Sequence, residues 1–311
     1  MMNAVTVDRL SHRFGRTRAL DDVCLEIPRG CVFGLLGLNG AGKTTLLHHL
    51  LGLNRPQSGS VRVLDGDPIT DRESVMRRVG YLSEEDTLPV WMNVADVLRF
   101  GEAVYPSWDS AYARELCEWF ELSPAARLST LSKGGRARVG LVSAIAHRPE
   151  LLILDEPSSG LDPIARADIL EAVIRTVSLE GRTVIFSSHL LEEANRVCDR
   201  VAVLHHGSVK CASELSSLSS DYREWVLRPT SSGVSTEASP VVGALDWRGN
   251  EGEWSTVVAA GEPESALGNE WDLIADRSIT LDRLFLAWVG QRKIGDAVSN
   301  SRQGIEREMP V

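Results

Sequence analysis

The sequence predicts an α/β fold whose main sheet is mostly parallel, and three observations support this prediction. A short apolar run at 31–36 leads directly into a glycine-rich loop and a helical pattern. A second apolar run, at 151–154, ends in two carboxylates. Strand patterns at 184–187 and 201–204 follow in alternation with helical segments, which is typical of parallel sheets covered by helices on both faces.

Further elements complete one domain over residues 1–220. Apolar and polar residues alternate at 4–7 and 23–27, and a Pro-Arg-Gly turn follows at 28–30, which predicts an antiparallel β layer at the start. From about 83 to 148 the apolar residues recur at helical spacing. The first domain should therefore carry a helical subdomain inserted into its parallel sheet.

The remainder of the chain predicts a small accessory domain over 221–290. A Ser/Leu-rich stretch at 212–220 separates it from the first domain, and a strand-like segment at 224–227 opens it. It holds five of the eight tryptophans, as expected for a compact α+β unit with its own core. The polar segment 291–311 is predicted to be a flexible tail.

Composition argues against several classes of protein. A net charge of -10 without a block of basic residues does not favour binding to nucleic acid. No run approaches the roughly 18 apolar residues of a membrane helix, and the first residues lack the apolar stretch of a signal peptide. The five cysteines are scattered along the chain, which predicts reduced thiols that lie mostly in the core. A cytoplasmic chain without a membrane pathway of its own is expected.

The glycine-rich loop matches the P-loop pattern for phosphate binding, between a strand and a helix. Its residues are Gly37, Leu38, Asn39, Gly40, Ala41, Gly42, Lys43 and Thr44. Glycines let successive backbone N–H groups converge on a phosphate at the helix N-terminus. Lys43 is expected to reach the β- and γ-phosphates, Thr44 to ligate Mg²⁺, and Thr45 to contact the α-phosphate.

The strand at 151–154 ends in Asp155 and Glu156, the Walker B arrangement. Strand alternation should send the two carboxylates to different sides. Asp155 is expected to hold Mg²⁺ through its water shell, and Glu156 to act as general base towards the attacking water.

These motifs and their surroundings resemble the ATP-binding cassette (ABC) family over roughly residues 3–215. The run Leu131-Ser132-Lys133-Gly134-Gly135 stands where the family has its signature, Leu-Ser-Gly-Gly-Gln. The resemblance implies that Ser132 and the Gly134 backbone bind the γ-phosphate of ATP held by a second subunit. Ser132 is also a good N-cap for the helix that follows. Lys133 either attracts that phosphate or points to solvent.

Four further residues take predicted roles from the resemblance. Asp162 lies in a segment similar to the D-loop, which communicates across the dimer, and His189 resembles the switch histidine that senses the γ-phosphate. Phe14 stands where an aromatic residue stacks on adenine, although a core position is an equal alternative. Glu84 replaces the glutamine of the family's Q-loop, and it could still approach the metal as a carboxylate.

The resemblance implies an ATPase that uses ATP and Mg²⁺ and works with a second nucleotide-binding subunit and a separate membrane permease. The chain would then lie at the cytoplasmic face of the membrane, with 88–94 as its docking surface if Trp91 is exposed rather than core. The segment 278–286 resembles the close of bacterial drug-exporter ATPases and favours export. The accessory domain could be regulatory, a dimer brace, a permease contact or a stabilising cap. A soluble ABC-type ATPase switch acting on a macromolecular complex is the alternative function.

Overall fold

The computed structural model describes residues 2–178, 181–231, 234–236, 239–250, 252–261 and 267–290. The chain divides into two compact units, 1–216 and 217–311, slightly before the boundary predicted at 220. The predicted tail, 291–311, lies outside the described residues.

The first unit is built from two sheets and the helices that cover them. Its strands are β1 (Asn3–Phe14), β2 (Thr17–Pro28), β3 (Val32–Leu36), β4 (Ser58–Val63), β5 (Val79–Leu82), β6 (Leu151–Asp155), β7 (Thr183–Ser188), β8 (Arg200–His205) and β9 (Ser208–Glu214). Its helices are α1 (Lys43–Leu50), α2 (Arg72–Met76), α3 (Val94–Val104), α4 (Ser110–Trp119), α5 (Lys133–Ile145), α6 (Pro163–Ser178) and α7 (Leu191–Val197).

The antiparallel layer predicted at the start is present as a three-stranded sheet with the order β2-β1-β4. Val5, Val7 and Leu10 of β1 are buried in the same core cluster. Val5 and Val7 alternate along the strand, and a register shift between Val7 and Leu10 brings Leu10 into the core with them. The same core cluster includes Leu46, Leu47 and other residues of α1. This layer therefore fixes the helix that follows the glycine-rich loop.

The second sheet has the order β5-β6-β7-β3-β8-β9, parallel except for β9. Every residue of β3 and β6 is buried, as expected for strands covered on both faces. Leu36 of β3 is paired with Ser188 of β7, and Asp155 of β6 with Ser187. The carboxyl ends of these three strands therefore lie side by side, where open α/β sheets bind their ligands.

The predicted helical subdomain at 83–148 contains α3, α4 and α5. Asn93 begins α3 with a capping box, in which its side chain accepts from the amide of Asp96 and the Asp96 carboxylate accepts in return. Helix α5 packs against α3, α4 and α6. No helix in the described part of the chain is both long enough and apolar enough to cross a bilayer.

The second unit contains an antiparallel sheet with the order β11-β12-β10-β13 and a C-terminal helix. Its elements are α8 (Leu218–Asp221), β10 (Tyr222–Pro229), β11 (Arg248–Asn250), β12 (Glu253–Ala259), β13 (Trp271–Ser278) and α9 (Leu281–Val289). Trp225 and Trp271 lie in its core, and Trp247 and Trp254 pack against it. Tryptophan thus supplies much of the apolar packing of this small unit.

Candidate active site

The glycine-rich loop joins β3 to α1 and depends on backbone conformations that favour glycine. Gly40 and Gly42 have φ angles of 78° and 109°. Gly42 is the N-cap of α1 and supplies no side-chain acceptor, so the first amides of the helix stay available to an anion. Asn39 is exposed, as are Gly40 and Thr44, while Thr45 is half-buried. The loop can therefore cradle phosphate oxygens.

Lys43 is the cation of this loop, and it is buried. Its Nζ donates to the carbonyl oxygens of Gly37 and Leu38, at 2.7 and 3.3 Å. The same Nζ lies 3.0 Å from Oε1 of Glu156, an ion pair whose angles are not those of a hydrogen bond. A positive charge is thus held between the phosphate-binding loop and the acidic end of β6.

The two carboxylates at the end of β6 have different neighbours. Asp155 is buried and its Oδ1 accepts from the Ser187 hydroxyl at 2.6 Å. Glu156 follows the strand in the left-handed region, with φ of 47°, and its N–H donates to the same hydroxyl at 2.8 Å. The prediction attributed their separation to strand alternation, but β6 ends at Asp155, so the left-handed backbone redirects Glu156. Such backbone is uncommon for residues with a Cβ and clusters at functional sites.

His189, which follows β7, contacts the carboxylate of Glu156. Its Nδ1 lies 2.7 Å from Oε2 of Glu156, and because a carboxylate oxygen accepts, Nδ1–H donates. His189 is partly exposed, with 36% of its side chain accessible. Glu156 is therefore held between a lysine and an imidazole.

Sequence reasoning missed two residues of this region, Ser187 and Glu193. Ser187 links Asp155 to Glu156 as described. Glu193 of α7 is buried and accepts from the hydroxyls of Ser158 and Ser188, at 2.8 and 3.0 Å. A polar residue ending an apolar strand was a visible signal for Ser187, whereas nothing local distinguishes Glu193 from its exposed neighbour Glu192.

The signature segment forms the start of α5. Ser132 is its N-cap, as predicted, and its Oγ accepts from the Gly135 amide at 3.1 Å. A Cβ at Gly134 would lie 2.6 Å from the Cβ of Ala165, so only glycine fits there. Lys133 is exposed, but its Nζ donates to the Ser159 carbonyl at 2.6 Å, a contact that neither predicted alternative included.

Asp162, Glu84 and Phe14 have other partners. Asp162 caps α6 by accepting from the amides of Ala165 and Ile164, at 2.9 and 3.0 Å, and these bonds lower the pKa of its carboxyl. Glu84 accepts from the Ser159 hydroxyl at 3.4 Å. Phe14 is 53% exposed, which excludes the core alternative and leaves its ring accessible to a base.

The ring of Phe14 meets the edge of a buried histidine, with ring centroids of Phe14 and His12 4.6 Å apart. Nδ1 of His12 lies 3.2 Å from Nε2 of His49, whose Nδ1 donates to the Thr45 carbonyl at 2.8 Å. Burial lowers the pKa of His49. A pair of imidazoles thus links the predicted adenine contact to α1.

The fold and this cluster define a P-loop nucleoside triphosphatase. A loop of converging amides holds a lysine against a carboxylate, and an imidazole contacts that carboxylate from the neighbouring strand. Such a site can bind a triphosphate and place a base near its terminal phosphoryl group.

Comparisons with known proteins identify the family. The sequence profile of the ABC transporter family matches residues 20–159. An ABC transporter ATP-binding protein of Nostoc is 38% identical over 207 residues, 64% of this chain and 61% of that protein, so less than two thirds of that relative is matched. The daunorubicin/doxorubicin resistance ATP-binding protein DrrA of Streptomyces peucetius is 35% identical over 233 residues, 72% of this chain and 69% of that protein.

A solved ATP-binding subunit of an ABC transporter has a TM-score of 0.64 at 30% identity, and the match covers 69% of this chain and 91% of that one. The chain belongs to the ATP-binding subunits of the ABC transporter family. It binds ATP and is an ATPase of that family.

Proposed function

We propose that this chain is the motor of an exporter, in which two nucleotide-binding subunits close around Mg²⁺-ATP and drive a separate membrane permease. The observation that carries this proposal is the position of Glu156. One oxygen of its carboxylate lies 3.0 Å from Nζ of Lys43, and the other lies 2.7 Å from Nδ1 of His189. A base placed between a phosphate-binding cation and an imidazole suits attack of water on a phosphoryl group.

The residues of the glycine-rich loop bind the phosphates in this proposal. They are Gly37, Asn39, Gly40, Ala41, Gly42, Lys43, Thr44 and Thr45. Lys43 neutralises the β- and γ-phosphates, Glu156 takes the proton of the attacking water, and His189 orients Glu156 and contacts the γ-phosphate. Phe14 offers its exposed ring to adenine, a contact of low base specificity.

The donor set fits Mg²⁺, which prefers a few protein oxygens, waters and phosphate oxygens. The Thr44 hydroxyl is exposed in the first turn of α1, and Asp155 is fixed by Ser187 through Oδ1, which leaves Oδ2 free of that bond. Thr44 would hold the ion directly and Asp155 through water, with Glu84 as a further carboxylate nearby. When bound, Mg²⁺ neutralises charge that develops on the phosphoryl group.

The second subunit completes the site in this proposal. Ser132 already accepts from Gly135 within α5, and its hydroxyl still has a proton to donate to a phosphate. The end of α5 also presents the positive pole of its dipole. Ser132, Gly134 and Asp162 would therefore act towards the nucleotide of a partner, which is the same chain or a related one.

Four exposed apolar side chains of the helical subdomain are the proposed contact with the permease. Val90 and Trp91 are 52% and 74% exposed, and Phe100 and Val104 of α3 are 63% and 50% exposed. Exposed apolar side chains in this number on one small lobe are typical of an interaction surface. The chain would then lie at the cytoplasmic face of a membrane as a peripheral subunit.

Export as the direction of transport is supported by the names of relatives. The DrrA protein is named for daunorubicin/doxorubicin resistance, and a protein of Paraburkholderia xenovorans that is 38% identical is named as a Nod factor export ATP-binding protein. In this proposal the permease selects the transported molecule.

The proposal is tested with the variant Glu156→Gln, whose mass in solution is measured with and without Mg²⁺-ATP. Loss of the base should trap the closed pair, so we expect a monomer that becomes a dimer with ATP and no longer hydrolyses it. Glu171→Gln, on an exposed site of α6, is the matched control and should behave as the unmodified protein. A variant that binds ATP but stays monomeric, or that still hydrolyses ATP, would contradict the assignment.

A further inference from the structure

Ser159, in the loop between β6 and α6, is held from two sides by charged residues. Nζ of Lys133 donates to its carbonyl at 2.6 Å, and its hydroxyl donates to Oε1 of Glu84 at 3.4 Å. Lys133 and Glu84 are also two of the three positions, with Gly135, where this chain departs from the family pattern in the signature and the Q-loop. The two departures therefore meet at one residue.

The loop itself is a tight turn attached to the catalytic strand. The amide of Ser159 donates to the Glu156 carbonyl at 3.0 Å, and the amide of Leu161 to the Ser158 carbonyl at 3.2 Å. Gly160 has a φ angle of 66°, and a Cβ there would lie 2.8 Å from Nζ of Lys133. The lysine thus lies directly against the turn.

Three segments converge at this point. Glu84, Lys133, Ser159 and Glu156 line one cavity of about 120 Å³. One helical turn after Lys133, Arg136 forms an ion pair with Asp86. The first turn of α5 is therefore attached both to the segment at 84–86 and to the loop at 158–162.

The charges of the two residues complement each other. Lys133 lines the same cavity as the carboxylate of Glu156, but its ammonium group donates to the Ser159 carbonyl instead. The Glu84 carboxylate contacts the hydroxyl of the same serine, and its negative charge attracts the positive charge of Lys133 to this turn. Lys133 thereby contacts the loop rather than the nucleotide of its own chain.

We propose that Lys133 and Glu84 are positioning residues that hold the loop at 158–162, and through the Ser159 amide the backbone of Glu156, in the geometry used for hydrolysis. The proposal rests on the proposed function for the role of Glu156. The tether itself depends only on contacts within this chain, and it can be measured without ATP.

The first experiment measures hydrogen exchange in the peptide covering 157–163 of the nucleotide-free protein. Lys133→Met keeps the length of the side chain and removes the donor, so exchange of the Ser159 and Leu161 amides should rise about fivefold, as expected for one lost hydrogen bond. Lys133→Arg should restore protection. Lys210→Met, at an exposed position of β9, is the control and should match the unmodified protein. Equal exchange in Lys133→Met and Lys210→Met would overturn the tether.

The second experiment separates kcat from KM for ATP. In Lys133→Met, and in Glu84→Met, which removes the acceptor of the Ser159 hydroxyl, kcat should fall about fivefold while KM stays within about twofold, because neither residue contacts the phosphates in this proposal. The double variant should lose little more than either single variant, since both act through Ser159. A raised KM, or effects that multiply, would overturn the positioning role. An unmodified protein without ATPase activity would instead defeat the proposed function, while the exchange result would still decide the tether.

Discussion

Nζ of Lys43 lies 3.0 Å from Oε1 of Glu156, and the two side chains are only 6% and 5% exposed. A buried ion pair adds little stability over an apolar pair of the same shape, but loss of one partner leaves the other charge without compensation. The pair is therefore a weak support of the fold, and the proposed catalytic roles of both residues would account for its presence.

Removal of one partner should consequently cost more than removal of both. Lys43→Met is expected to lower the free energy of unfolding by about 2–4 kcal/mol, and Glu156→Gln in that background should recover about half of the loss. Urea unfolding of the four nucleotide-free proteins gives the coupling directly. If the two single effects add to within about 0.5 kcal/mol, the pair is not coupled.

Gly134 should tolerate no side chain because of its contact with α6. The Cβ of Gly134→Ala would lie 2.6 Å from the Cβ of Ala165 and 3.3 Å from Oδ2 of Asp162. Overpacking of this kind costs about 1–3 kcal/mol, so we expect hydrolysis to fall about tenfold while nucleotide binding to the glycine-rich loop stays within about twofold. The measurements are the hydrolysis rate and the affinity for a fluorescent ATP analogue.

The collision itself is tested by making room for the new methyl group. Ala165→Gly in the Gly134→Ala background removes the opposing Cβ, and most of the activity should return despite a helix cost of about 1 kcal/mol. A double variant no better than the single one would show that the Gly134 effect has another cause.

Trp91 should contribute to partner binding without supporting the fold. It is 74% exposed, and Leu53, at 52%, is a comparable apolar residue outside the helical subdomain. Trp91→Ala combined with Phe100→Ala should leave ATPase activity of the isolated subunit within about twofold and reduce its recovery with the permease in membranes about tenfold. Leu53→Ala should be recovered like the unmodified protein. Equal recovery of all three would place the docking surface elsewhere.

The sequence was sufficient for the order of elements in the first unit, the glycine-rich loop and the N-cap at Ser132. These depend on local patterns of apolar residues, glycines and capping residues. It did not predict the left-handed Glu156, the bridging Ser187 or the contact of Lys133 with Ser159. Each of these depends on which strands become neighbours and on side chains distant in the chain, and a local pattern carries no such information.

The second unit illustrates the same limit. Its tryptophans and apolar spacing indicated a small α+β domain, but nothing in the sequence paired Arg283 of α9 with Glu224 and Asp246. Nη1 of Arg283 lies 2.5 Å from Oδ2 of Asp246, and Nε lies 2.5 Å from Oε1 of Glu224.

Breaking this partly buried network by Arg283→Met should lower the free energy of unfolding of this unit by about 2–4 kcal/mol, measured by tryptophan fluorescence in urea. Arg277→Met, at an exposed position of β13, is the control, and an equal effect of the two substitutions would contradict the anchoring role.

His147 should make the first unit less stable in acid. It is buried, its Nε2 donates to the Val79 carbonyl at 3.2 Å, and its ring stacks on Tyr105 with centroids 3.9 Å apart. Burial lowers the pKa of His147 to about 4, below the value of about 6.5 expected in the unfolded chain. The unfolded state therefore binds more protons between these two values, so stability falls as pH falls from about 6.5 towards 4.

The expected loss from this one residue is about 2 kcal/mol between pH 7.5 and pH 5. His147→Gln keeps a donor for the Val79 carbonyl and does not titrate, so it should be less stable at pH 7.5 but should lose less stability on acidification. Its remaining pH dependence comes in part from His49, whose pKa is also lowered by burial. Urea unfolding at the two pH values measures both slopes. The two proteins differ in titration only at His147. If their free energies of unfolding change equally with pH, His147 has the same pKa in the folded and unfolded chain, which would contradict the prediction.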